Sequence, residues 1–404
     1  MGLVVQKYGG TSVGSLDHIR NVAAHVARTV AAGHRVLVTI SAMGEQTDEL
    51  LTMATKLNAR PPRRELDMLL TAGERISAAL LAIALDERHV PSVSLTGSQC
   101  GILTDETHGN ARITRILGDR VRESLTRGLV VIVAGFQGVS PRTKEVTTLG
   151  RGGTDLSAIA LAASLGAERC QLYKDVQGVY TADPRVVKTA RVKTRLSWAA
   201  MNALAWGGAS VLHPRGAHLA AKFGIPFEIR SSLALEHPGT IIHGSDDVES
   251  ATVEALAHKT AMTLIESRIG SPKAPTLIAQ AIGWLWQHGE SSLLNNQATD
   301  GQGGFTLTQV IKSSLVVDYE SMLADAAADL GAHTETVRRT QGLATISIIG
   351  QGFQQSPETV LKVCELLTST PPLVVDLRNT AITLVVEERA LTAALNGLHE
   401  GLLG

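Results

Sequence analysis

Apolar positions in the first 245 residues switch repeatedly between two spacings. Leu3–Tyr8 and Val36–Ile40 are short β-branched runs of the kind that form buried strands. Between them Ile19, Val22, Ala23, Val26 and Val30 recur at helical intervals. Ser15 is placed to cap that helix and Gly33 to end it. The same alternation predicts helices over 47–57, 65–85, 110–127 and 155–165, and strands over 90–96, 130–136, 169–175 and 227–231. Strands alternating with helices indicate an α/β fold, a mainly parallel sheet between two helical layers. Ligands of such sheets sit beyond the carboxyl ends of the strands. That singles out the loops after Tyr8, Ile40, Phe136 and Asp175.

The pattern changes near 236–252, where Glu236-His237-Pro238-Gly239 is followed by a polar run to Ser250. Beyond it, a strand at 260–269, a helix at 275–288, strands at 292–297 and 305–313 and a helix at 321–330 form one β-α-β-β-α set. Segments 344–349, 357–367, 373–377, 381–386 and 389–402 form a second. This is a weak repeat of ferredoxin-like α+β units. The expected division is 1–248 and 252–404, the latter holding units of about 260–335 and 340–404, in series or interleaved. Neither unit gathers reactive side chains, so this third reads as a binding or assembly module.

Composition narrows the function classes. A chain of 404 residues holds two or three domains at roughly 150 residues each. With 44% hydrophobic and 19% charged residues it reads as soluble and globular rather than disordered. Lys+Arg 37 against Asp+Glu 38 gives no basic surplus to favour nucleic acid or an anionic membrane. Aromatics at 3% offer little for base stacking. Cys100, Cys170 and Cys364 have no metal-ligand or C-x-x-C spacing and read as thiols in a reducing compartment. The N-terminus lacks the features of a signal peptide, and no apolar run approaches the ~20 residues of a bilayer span, so the cytoplasm is the expected location.

Three segments carry chemistry. In Lys7-Tyr8-Gly9-Gly10-Thr11-Ser12, a strand-end lysine precedes two glycines that let the backbone approach a ligand, and a helix N-terminus follows. That combination suits a polyphosphate, although a tight turn with a surface lysine has the same look; it is not the P-loop order. In Thr147-Thr148-Leu149-Gly150-Arg151-Gly152-Gly153-Thr154-Asp155, Arg151 offers a planar fork for a carboxylate. Asp155 is either an N-cap or the partner of Lys7 or of a metal ion. In the third, Lys174 to Arg185, Tyr180 can cover a purine, and Lys174 and Arg185 can reach phosphates; a structured surface loop is the alternative. Ser41, Thr47 and Glu74 can complete a small-molecule pocket. Glu74 lies near a helix start, where dipole electrostatics alone favour an acid. His213-Pro214 has no Ser/Asp partners at recognisable spacing, which makes His213 a structural histidine.

Taken jointly, KYGGTSVG (7–14), SAMGEQTDEL (41–50), LLTAGERIS (69–77), GSQCGILTD (97–105), AGFQG (134–138), TTLGRGGTD (147–155), DVQGVYTADPR (175–185), VLHPRG (211–216) and HPGT (237–240) resemble the aspartokinases of the amino acid kinase superfamily, in the family's order. The C-terminal third resembles, more weakly, the family's paired ACT regulatory domains. The resemblance implies ATP-dependent phosphorylation of the L-aspartate side-chain carboxylate, with Mg²⁺ carried on the ATP phosphates and no protein metal site. It implies that Lys7, with Gly9 and Gly10, steadies the transferring phosphoryl group and that Asp155 holds Lys7. Arg151 would bind the substrate α-carboxylate and Glu74 its ammonium. Ser41, Thr47, Phe136, Gly152, Gly153 and Thr154 would complete the aspartate pocket. Asp175, Tyr180, Asp183 and Arg185, with Lys174 and Ser210, would hold the nucleotide. It also implies a homo-oligomer and an amino-acid effector at the ACT units. A related kinase acting on another aspartate-like carboxylate and an inactive amino-acid sensor are the competing readings.

The chain departs from the family pattern at several places. Lys174 stands where a Ser or Thr usually precedes the nucleotide-loop Asp, and Ser210 where many members carry a Lys. The paired exchange suggests that Lys174 compensates for Ser210. Thr154 replaces the usual Ser. In the regulatory third, 271–275 and 288–292 depart from the effector-site pattern, which implies weak, altered or absent inhibition by lysine and threonine.

Overall fold

The computed structural model describes residues 2–244, 252–270, 274–288, 290, 296–299 and 305–404. By internal contacts the chain divides into two units. One comprises 1–179, 192–202 and 210–246; the other comprises 180–191, 203–209 and 247–404. The end of the expected linker at 245–251, the turn residues 271–273 and most of the strand expected at 292–297 lie outside the described residues.

The first unit opens with β1 (Leu3–Tyr8), α1 (Leu16–Ala31) and β2 (Arg35–Ile40), followed by α2 (Gln46–Leu57), α3 (Arg63–Asp86) and β3 (Ser92–Leu95). Ser15 caps α1 through its Oγ, which accepts from the His18 N–H. β4 (Ile102–Thr104) and β5 (Ile113–Ile116) come next, then α4 (Asp119–Thr126), β6 (Val130–Ala134), β7 (Gln137–Val139) and β8 (Val146–Thr148). The helix expected over 110–127 is therefore corrected to a strand and a short helix. Ile113, Thr114 and Ile116 favour extended backbone, and Gly118, at φ +71°, breaks the chain before Asp119. α5 (Gly153–Leu165), β9 (Arg169–Lys174), β10 (Arg195–Ser197), α6 (Trp198–Gly207, its residues from 203 on assigned to the second unit), α7 (Pro214–Phe223), β11 (Phe227–Ser231) and β12 (Thr240–His243) complete the run.

Eight strands form the main sheet in the order β10-β12-β11-β9-β1-β2-β6-β3, all neighbours parallel except β11 and β12. β5-β4-β7-β8 make a small second sheet. Val22, Val26, Leu81 and Leu85 of α1 and α3 pack on Val36, Val38, Ile40 and Ile132 across one face of the main sheet. α3 is long and apolar enough to cross a membrane by length and average composition, although charged residues such as Glu74 and Arg75 interrupt its apolar positions. Yet Asp67, Thr71, Glu74 and Ser77 on it are buried within the unit, as befits a core helix.

The second unit contains β13 (Thr252–Gly270), α8 (Ala274–Gln287), β14 (Asn296–Thr299), β15 (Phe305–Lys312) and α9 (Val316–Asp329), then β16 (His333–Gln351), α10 (Pro357–Leu366), β17 (Val374–Arg378), β18 (Ala381–Glu387) and α11 (Leu391–Leu403). This is the β-α-β-β-α set twice, merged in one antiparallel sheet of order β14-β15-β13-β16-β18-β17. β13 and β16 are longer than their sequence patterns predict: β13 crosses two cores, and β16 runs beside it, buried from Leu343 onward and largely exposed before that. Leu256 packs with Ile346, Ile348, Leu384 and Leu395, whereas Ile265 and Ile269 pack with Leu277, Leu307 and Tyr319. The crossing falls where Ala261 and Gly342 adopt positive φ, 54° and 69°. The segment 180–191 belongs to the first of these cores, in which Ala182 and Val187 are buried. Leu256 N–H donates to Thr181 O at 2.7 Å, and Thr181 Oγ1 lies 2.9 Å from His399 Nε2.

Candidate active site

Neighbouring β1 and β9 end in lysines, Lys7 one residue before the β1 terminus and Lys174 at the β9 terminus. Between them, the first turn of α5 presents Asp155. Lys7 Nζ lies 2.7 Å from Asp155 Oδ1, and Lys174 Nζ donates to Oδ2 at 2.6 Å. Lys7 and Asp155 are both buried, so the pairing is what makes their charges tolerable there. Burial, opposed by Asp155 and reinforced by Lys174, brings Lys7 down to about 8. Burial pushes the Asp155 carboxyl up, but the two ammonium charges outweigh it and hold the group at about 2. One carboxylate against two ammonium ions leaves a net positive charge aimed at any arriving anion.

Glycines let the surrounding backbone close in. A Cβ on Gly10 would stand 3.0 Å from the carbonyl oxygens of Ala42 and Gly44. The turn after β8 is tighter still. Gly150 and Gly152 have φ of +77° and +69°, and a Cβ on Gly152 would lie 2.4 Å from the Cβ of His213. Arg151, at the tip of this turn, is exposed and has no ion-pair or hydrogen-bond partner among the described residues. Gly152 caps α5, so Asp155 is not the N-cap and is free for the lysines.

Glu74 sits in the middle of α3 rather than near its start, which removes the dipole explanation. One of its oxygens accepts from Ala42 N–H at 3.2 Å; the other is buried without a partner. Burial raises the carboxyl to about 7. A buried acceptor left open in this way suits an ammonium group. Ser41 Oγ donates to Thr154 Oγ1 at 3.0 Å, tying the loop after β2 to α5. Thr47 is half-buried in the first turn of α2. Phe136 holds φ +67°, a strained conformation for an aromatic residue and one that clusters at functional sites. A Cβ on Gly153 would come within 2.9 Å of its ring.

The other expected nucleotide contacts are divided between the two units. Asp175 and Ser210 are exposed and have no side-chain partner among the described residues. Tyr180, Asp183 and Arg185 belong to the segment that packs with the second unit. Arg185 binds Asp183 through Nε at 3.0 Å and Nη2 at 2.7 Å, so this guanidinium is engaged by its own loop. His213 is the N-cap of α7, its Nδ1 accepting from Arg215 N–H, in keeping with a structural histidine.

Sequence reasoning passed over Asp67, His108 and Arg215. Asp67 Oδ1 accepts from Thr148 Oγ1 at 2.5 Å and from Gly109 N–H at 3.1 Å, and Oδ2 lies 2.6 Å from His108 Nδ1. Arg215 donates to Asn110 Oδ1 and Leu149 O at 2.6 Å and to Ala111 O at 2.7 Å. A lone acid inside the apolar run Leu66-Asp67-Met68-Leu69-Leu70 was the available signal for Asp67, and the arginine after His213-Pro214 the signal for Arg215.

A lysine-flanked buried carboxylate beside glycine-rich strand-to-helix turns is an arrangement for handling phosphate, and residues 2–231 match the model of the amino acid kinase family. The chain belongs to that family. Within it the chain belongs to the aspartokinases. It is 41% identical to the aspartokinase of Geobacillus stearothermophilus over 99% of this chain and 97% of that one, and 37% identical to aspartokinase 2 of Bacillus subtilis (strain 168) over the same shares. Among solved structures, the aspartate kinase of Synechocystis is 33% identical, with a TM-score of 0.56 over 99% of this chain and 69% of that one. Aspartokinase III of E. coli, solved with aspartate and ADP, superposes over the whole of both chains with a TM-score of 0.79; at 24% identity it supports the fold alone.

Proposed function

We infer that this protein transfers the γ-phosphoryl group of ATP to the side-chain carboxylate of L-aspartate, giving 4-phospho-L-aspartate and ADP, the first step of the aspartate-derived amino acid pathway. The Lys7–Asp155–Lys174 cluster carries the reading. A carboxylate with a reference pKa near ~4 is already a nucleophile at neutral pH, so no general base is required. The difficulty is bringing two anions together in line, which calls for fixed cations and oriented N–H groups.

In this reading Arg151 takes the α-carboxylate with its open fork, and the free oxygen of Glu74 takes the ammonium. Those two contacts select an α-amino acid and leave the side-chain carboxylate to face Lys7. Gly9 and Gly10 let the β1 loop approach the phosphates, and Lys174 adds a second ammonium beside Asp155. Asp155 stays ionised and holds both lysines without entering the chemistry. Mg²⁺, the expected companion of ATP, supplies charge neutralisation on the phosphate oxygens. Both Asp155 oxygens face ammonium groups, which leaves the carboxylate to the lysines.

The second unit is read as paired ACT regulatory domains, and its β17 edge as a docking edge in a homo-oligomer. Among the described residues β17 is paired on one side only, and it exposes Leu373 beside it and Val375 and Leu377 within it. Dependence on ATP and aspartate, together with free cysteines, supports a cytoplasmic enzyme.

The test is ADP release with a panel of amino acids, with hydroxylamine added to trap an acyl phosphate. L-Aspartate should give the β-hydroxamate. ATP turnover with a different carboxylate, or with none, would overturn the reading.

A further inference from the structure

The turn that holds Arg151 is gripped from outside by two residues that touch neither Arg151 nor any reacting group described above. On one side Asp67, fully buried in α3, accepts from Thr148 Oγ1, Gly109 N–H and His108. On the other side the Arg215 guanidinium, from the first turn of α7, donates to Leu149 O, Asn110 Oδ1 and Ala111 O. Ala111 N–H donates to Thr148 O at 2.8 Å, which joins the two grips. A Cβ on Gly150 would lie 3.0 Å from Asn110 Oδ1, so the residue fixed by Arg215 is also the wall of the turn.

We propose that Asp67 and Arg215 are positioning residues for substrate recognition: together they fix residues 148 and 149, and through them the direction in which the Arg151 guanidinium points. The physical reason is the exposure of Arg151. An arginine at a glycine-flanked tip has many rotamers, and freezing its backbone origin removes much of the entropy cost of binding a carboxylate bidentately. Gly150 and Gly152 make the turn possible but also loose. The three carbonyl and amide acceptors of Arg215 and the three partners of Asp67 supply the rigidity the glycines lack. This proposal rests on the reading that Arg151 binds the α-carboxylate of the substrate.

Asp67→Ala, Asp67→Asn and Arg215→Lys in the full chain test it. For Asp67→Ala and Arg215→Lys the KM for aspartate should rise at least about tenfold while the KM for ATP stays within about twofold. Asp67→Asn, which keeps an oxygen for Thr148 and Gly109, should fall between wild type and Ala. β-Alanine, which lacks the α-carboxylate, is the control: its inhibition constant against aspartate should be unchanged in every variant. An aspartate KM unchanged in Asp67→Ala and Arg215→Lys, or a β-alanine constant that rises in step with it, would overturn the proposal. Hydrogen exchange of the segment 147–153 in the ligand-free protein reads the grip without any substrate. It should accelerate at least about tenfold in both variants, and unchanged protection would refute the grip whatever the enzyme phosphorylates. Should Asp67→Ala fail to fold, Asp67→Asn and Arg215→Lys carry both measurements. Loss of the aspartate reading itself would show separately, as wild-type protein without aspartate turnover.

Discussion

Lys174 Nζ stands 2.6 Å from Asp155 Oδ2, the oxygen opposite the one that faces Lys7, so one buried carboxylate holds ammonium partners from two adjacent strands. The sequence placed a lysine at 174 and removed one at 210, and the structure puts the gained charge on the residue that organises Lys7.

Removing that charge should weaken nucleotide binding. Lys174→Ala is expected to raise the KM for ATP about tenfold or more, roughly 1.4 kcal/mol, with a smaller change for aspartate. ATP titration at saturating aspartate checks it, and an unchanged KM would dispose of the compensation idea. The double variant Lys174→Ser with Ser210→Lys should recover part of the loss.

The pH dependence follows from two groups. Lys7, brought down to about 8, loses its proton as pH rises through that value, and the cation it offers the phosphoryl group goes with it. Glu74, raised to about 7, becomes a carboxylate only above that value, so its hold on an ammonium weakens as pH falls. The kcat/KM for aspartate should therefore be bell-shaped, with an acid limb near 7 and an alkaline limb near 8, since this ratio reports the free enzyme. Lys7→Arg, if active, should lose the alkaline limb; a flat profile from pH 6 to 9 in the wild type would contradict both assignments.

Arg151→Ala should raise the KM for aspartate by roughly ten- to a hundredfold, the range of ~1.5–3 kcal/mol for a hydrogen bond to a charged group. kcat should move less, because the contact persists from ground state to transition state. Gly152→Ala should cost as much by a different route, since its Cβ would meet His213 and its φ of +69° disfavours a side chain. An aspartate titration that leaves either KM at the wild-type value would remove Arg151 from the pocket.

Leu81→Ala probes the fold independently of the chemistry. Leu81 is fully buried between α3 and the main sheet. Its truncation should cost about 2–5 kcal/mol in denaturant unfolding at unchanged slope. A smaller change would mean that this face collapses to fill the void.

Lysine and threonine are expected to inhibit weakly or not at all, given the sequence at 271–275 and 288–292. Potent inhibition by either in a steady-state assay would reverse that expectation.

The parallel sheet was legible because β-branched runs and a three-and-four spacing have different physical periods; β1, α1, β2, β6, α5 and β9 lie where the pattern puts them. So was the site rim, since glycines at 9, 10, 150 and 152 mark strand-to-helix turns. The small sheet was not legible. Residues 113–116 are half-exposed or exposed and lack a clean alternation. The lengths of β13 and β16 escaped because β13 changes the core it serves halfway along and the first half of β16 is largely exposed. Asp67 and Arg215 were hidden for a third reason: their importance lies in partners 81 and 66 residues away, a relation no local spacing reveals.

The crossed course of β13 and β16 governs how this lobe can be cut. The half of β13 before Ala261 finds its strand partner in the part of β16 after Gly342, and shares its core with the elements that follow and with the earlier stretch 180–191. Trimming the chain from its tail thus dismantles the core that the strand began, while the stretch between those two positions is an insert that loops out and returns to where it left.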